Sequence, residues 1–77
     1  MNKIRRNALS DILGKIEDLR AMLEDIRDEE QDCMDNIPEN LQGTERYEQM
    51  EDAVYNMEDA IGNLEDVCST LEEIVMA

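Results

Sequence analysis

The chain reads as all-α, an antiparallel two-helix coiled-coil hairpin that dimerises into a four-helix bundle. Three observations predict this. Apolar residues recur at alternating steps of three and four along two long stretches. A single break around Pro38 and Gly43 separates the stretches. Folding the chain at that break brings the two apolar seams into register.

The first helix is expected over about residues 3–36, starting near Asn2 or Lys3. Its early cations Lys3, Arg5 and Arg6 sit poorly with the positive end of the helix dipole. The seam runs Leu9, Ile12, Ile16, Leu19, Leu23, Ile26, Cys33 and Ile37, with Glu30 at the one position that should be apolar. Ile16-Glu17-Asp18-Leu19-Arg20 followed by Leu23-Glu24-Asp25-Ile26-Arg27 makes the seven-residue period explicit.

The turn is expected at residues 37–43. Pro38 lacks a backbone donor and pushes Ile37 out of helical geometry. Gly43 weakens any helix through it, and Thr44 is a good N-cap for the next one.

The second helix is expected over about residues 44–76, with the unbroken seam Tyr47, Met50, Val54, Met57, Ile61, Leu64, Cys68, Leu71 and Val75. Acidic pairs repeat every seven residues: Glu51-Asp52, Glu58-Asp59, Glu65-Asp66 and Glu72-Glu73. Gly14 and Gly62 fall in helix interiors, each costing about 1 kcal/mol against Ala.

A fold centred on Asn40 pairs Leu9 with Leu71, Ile16 with Leu64, Leu23 with Met57 and Cys33 with Tyr47. Every a position then meets a d position. The same register sets Arg6 opposite Glu72, Leu13 opposite Glu65, Arg20 opposite Glu58 and Arg27 opposite Glu51, three of the four being opposite charges. Burying one large aliphatic side chain contributes roughly 1.5–3 kcal/mol, an exposed ion pair about 0–1 kcal/mol. The seam should therefore hold the hairpin, and the arginines should select its register.

The other flank carries Ala8, Met22, Ala53, Ala60, Val67 and Ile74 at g positions, interrupted by Lys15 and Glu29. A widened intramolecular core is one reading of this strip. The preferred one is self-association, giving a homodimer.

Composition bounds the function. High charge with few aromatics is a signature of disorder, but 42% hydrophobic residues at regular spacing argue against it. The 77 residues make one small domain, residues 1–77, for which a partner or self-association is expected. Seven basic against 21 acidic residues give a net charge of −14. Such a chain repels nucleic acid and anionic membranes and attracts basic protein surfaces. The absence of His, Trp and Phe removes the commonest general base and metal ligand and the usual base-stacking platforms. No apolar run reaches membrane-spanning length, and the first six residues lack a signal-peptide core. The expected location is a reducing cytoplasm.

No catalytic, cofactor or metal residues are expected. Cys33 and Cys68 fall in seam layers about 30 Å apart, which excludes an intrachain disulfide, and both read as buried apolar side chains. Asp28–Glu39 places oxygen-bearing side chains at calcium-loop positions 1, 3, 5, 9 and 12, yet the required glycine at position 6 is Cys33. Helix end plus turn is the better reading. Paired carboxylates need a pocket that separates their pKa values, and a hairpin surface offers none.

The acidic rows of the second helix (Glu51, Asp52, Glu58, Asp59, Glu65, Asp66, Glu72 and Glu73) admit three readings. They are a solvated face, a docking surface for a basic protein, or a mimic of DNA phosphates. The turn sequence from Asp35 to Glu48 resembles that of short acidic helical-hairpin proteins encoded by bacteriophages and mobile elements of Gram-positive bacteria. The resemblance implies a small accessory protein, and by analogy an inhibitor of host defence or of a DNA-binding enzyme. The expected function is a non-enzymatic acidic module that binds or inhibits a basic host protein. The alternative is a structural, self-assembling module.

Overall fold

The computed structural model describes residues 1–77 as two long helices, α1 (Lys3–Asp35) and α2 (Glu45–Met76), joined by a turn containing one 3-10 segment (Glu39–Leu41). The helices pack against each other as a hairpin 59 × 14 × 13 Å in extent. The long dimension accommodates a 33-residue helix, about 50 Å at 1.5 Å per residue, plus the turn.

Side chains cap both helix starts. Asn2 Oδ1 accepts from the Arg5 amide at 2.8 Å, satisfying one of the free donors of the first turn of α1. Thr44 Oγ1 accepts from the Tyr47 amide at 3.3 Å and donates to the Leu41 carbonyl at 2.9 Å, tying the start of α2 to the turn. At the end of α1, Asn36 returns both its backbone amide (3.2 Å) and its side-chain amide (2.9 Å) to the Asp32 carbonyl. Pro38 is extended at φ −56 and ψ 144, and its carbonyl accepts from Leu41 at 2.9 Å. No residue has positive φ, so Gly43 is not demanded by a left-handed turn. Its contribution is to interrupt the helix.

The α2 seam is as the heptads predict. Val54, Ile61 and Cys68 are buried, and Tyr47, Met50, Met57, Leu64, Leu71 and Val75 are half-buried. In α1 only the a positions Leu9, Ile16, Leu23 and Glu30 follow the expectation, with Ile37 just beyond the helix, all half-buried. The d positions are exposed, with Ile12 at 46%, Leu19 at 58% and Ile26 at 54%. Cys33, expected in the core, is exposed as well, and Met34 beside it is the buried residue. Leu13, Arg20, Arg27 and Met34, the e positions, take the place of the d row.

The cause lies in what each helix carries at e. On α2 these positions are Glu51, Glu58, Glu65 and Glu72, which hold its a/d edge toward the partner helix. On α1 they include Leu13, Met34 and arginines, whose aliphatic stems can pack while the head groups reach water. Relative to the symmetric pairing, α1 is turned by roughly 50°, half a residue step at 3.6 residues per turn. Exchanging Ile12, Leu19, Ile26 and Cys33 for Leu13, Met34 and arginine stems leaves about one large aliphatic side chain fewer in the seam. That forgoes roughly 1.5–3 kcal/mol of burial within the single chain.

Candidate functional site

Two opposed surfaces follow from this packing. The first is the acidic ridge of α2. Glu51, Asp52, Glu58, Asp59, Glu65, Asp66, Glu72 and Glu73 are all exposed. Successive pairs recur about every 10.5 Å along the helix. None of the eight carboxylates lies in an ion pair. The chain's two ion pairs are local to α1, Arg20–Glu24 at 3.6 Å and Arg27–Asp28 at 3.0 Å.

The interhelical pairs expected from the register, Arg6–Glu72, Arg20–Glu58 and Arg27–Glu51, are therefore not formed. The turn of α1 explains this: it draws the arginine stems into the seam instead of leaving them on the rim facing the α2 glutamates. Arg6 and Arg20 each bury Nε without a hydrogen-bond acceptor, since 3.6 Å to Glu24 is too long for one. These arginines act as packing elements, and the acidic ridge stays uncompensated.

The second surface is apolar. Of the proposed self-association residues, Ala8, Met22, Ala53, Val67 and Ile74 are exposed and Ala60 is half-buried. A widened intramolecular core is thus excluded for five of the six. The turn of α1 adds Ile12, Leu19 and Ile26 to the same flank, residues that heptad reading places in the seam. The missed signal was available: α1 has apolar side chains at g, a, d and e, an arc wider than one neighbouring helix can cover.

Other candidate chemistry does not assemble. The calcium-like spacing beginning at Asp28 lies on α1 as far as Asp35, so its first eight positions are helical and do not form a loop. No group of three or more His, Cys, Asp or Glu side chains is gathered for a metal. An open depression of about 480 Å³ at the turn is walled by Ile37, Pro38, Leu41 and Met50, with Arg46 its one cationic side chain. It contains no acid–base pair. No helix is long and apolar enough to cross a membrane. No protein-family model, curated protein or solved structure matches this chain.

Proposed function

We propose that the chain is a non-enzymatic interaction module whose α2 ridge docks a basic protein surface. The observation that carries this is the ridge itself: eight exposed carboxylates with no cation of their own chain within ion-pairing distance. Uncompensated charge of one sign steers an oppositely charged partner and disfavours like-charged ones. A nucleic-acid-binding protein of the host is the preferred partner class, since its basic surface is already shaped for a polyanion. An inhibitory role is proposed by analogy with the phage accessory hairpins whose turn this one resembles.

The matching test compares capture by the intact chain and by E58Q/D59N/E65Q/D66N. A basic protein retained by the first, released by salt and lost with the second, is the expected result. Equal retention by both would refute docking through the ridge.

A second reading, a self-assembling helical module, is favoured by the exposed apolar flank. The two surfaces are on different sides of the hairpin and are compatible. Hairpins joined through the flank would present two acidic ridges outward in a four-helix bundle.

A further inference from the structure

We propose that a second copy of this chain covers the apolar flank, with α1 packed antiparallel on α1 of its partner about a two-fold axis at Met22. The proposal rests on the assembly reading and specifies its geometry.

The area and the packing call for an occupant. The chain exposes 5813 Å², against about 4,800 Å² for a compact folded chain of its mass. Ile12, Leu19, Met22, Ile26, Val67 and Ile74 are 37–60% exposed along one flank. Together they show on the order of 500 Å² of apolar surface, most of the ~800 Å² per partner of a specific interface. The turn of α1 also leaves its d row in water although a symmetric hairpin would bury it.

The charge pattern identifies the occupant. A two-fold interface must be complementary to itself. Along α1 the flank reads Ile12, Lys15, Leu19, Met22, Ile26, Glu29, Cys33. Its two charged residues have opposite sign and stand seven residues either side of Met22. An antiparallel partner centred there places Lys15 opposite Glu29 of the other copy, twice, with Leu19 facing Ile26 and Ile12 facing Cys33. Neither Lys15 nor Glu29 has an ion pair within its own chain. Ala53 and Ala60 lie near the same level of α2 in the heptad register, where small side chains let the second helix pair approach. The rim is less favourable: Asp11, Asp18, Asp25 and Asp32 are exposed beside the strip and meet their counterparts across the axis. Their repulsion is spread along the solvated edge, where salt screens it.

Two measurements test the geometry. Met22→Cys, combined with Cys33→Ser, should oxidise to a covalent dimer, because equivalent side chains meet at the axis. Separately, K15E should weaken dimerisation by about tenfold or more, through two like-charge contacts. K15E/E29K should recover most of the loss. K15E/E17K, which restores the same net charge on the outward face, should not. A dimer that fails to cross-link at position 22 and responds equally to both double variants would overturn the two-fold axis alone. A chain that stays monomeric would overturn the assembly reading itself.

Discussion

Arg20 is half-buried beside the seam with its Nε deprived of an acceptor, so its contribution to stability comes from its stem. Arg20→Met keeps the stem and removes the unsatisfied group. It should be neutral or stabilising by up to about 1 kcal/mol in urea unfolding, whereas Arg20→Ala should destabilise. Loss of stability in both variants would indicate that the guanidinium holds the register through charge, as the sequence pattern suggested. The two cysteines provide a second check at this scale. Cys68 is 4% exposed and Cys33 is exposed. At concentrations dilute enough to keep the chain monomeric, a thiol reagent should label Cys33 directly and Cys68 only through unfolding. Comparable protection of both thiols would put Cys33 back in the seam.

Elements differ in how far the sequence disclosed them. The turn was legible because Pro38, Gly43 and Thr44 each limit the backbone in a known way, and the helix ends fall within two residues of expectation. The α2 seam was legible because Glu51, Glu58, Glu65 and Glu72 fill every e position and bound the apolar edge on that side. The α1 seam was only half legible. Its a row is common to two orientations, and heptad letters do not decide between a d row of Ile and Leu and an e row of Leu, Met and arginine stems. The acidic ridge was readable as residues, but its lack of partners depended on that orientation.

The two helices should respond differently to truncation. Ile61→Ala should cost about 2–3 kcal/mol of hairpin stability, the low end for a buried aliphatic because the seam is only one helix pair wide. Ile26→Ala should change the stability of the monomeric hairpin by less than about 1 kcal/mol and weaken self-association instead. Denaturation at two protein concentrations separates these effects, since only the dimeric contribution depends on concentration. An equal, concentration-independent loss from both would restore the symmetric seam.

At the scale of the whole molecule, a net charge of −14 on a thin rod sets its surfaces against one another. On the proposed reading, self-association brings acidic rims together, and partner docking brings the ridge to cations. Salt should therefore act in opposite directions: raising it from about 0.05 to 0.5 M should strengthen dimerisation several-fold and weaken docking of a basic protein. Dimerisation that weakens with salt would mean that ion pairs, and not the apolar flank, hold the copies together.

The apolar flank of Ile12, Leu19, Met22 and Ile26 is proposed as an interface between two copies. Sedimentation equilibrium of the intact chain and of Leu19→Asp, at moderate salt and up to tens of micromolar, tests it most directly. The expected result is a mass twice the 8.9 kDa chain for the first and a single-chain mass with helicity retained for the second. A fully helical intact chain that stays at 8.9 kDa throughout would contradict it.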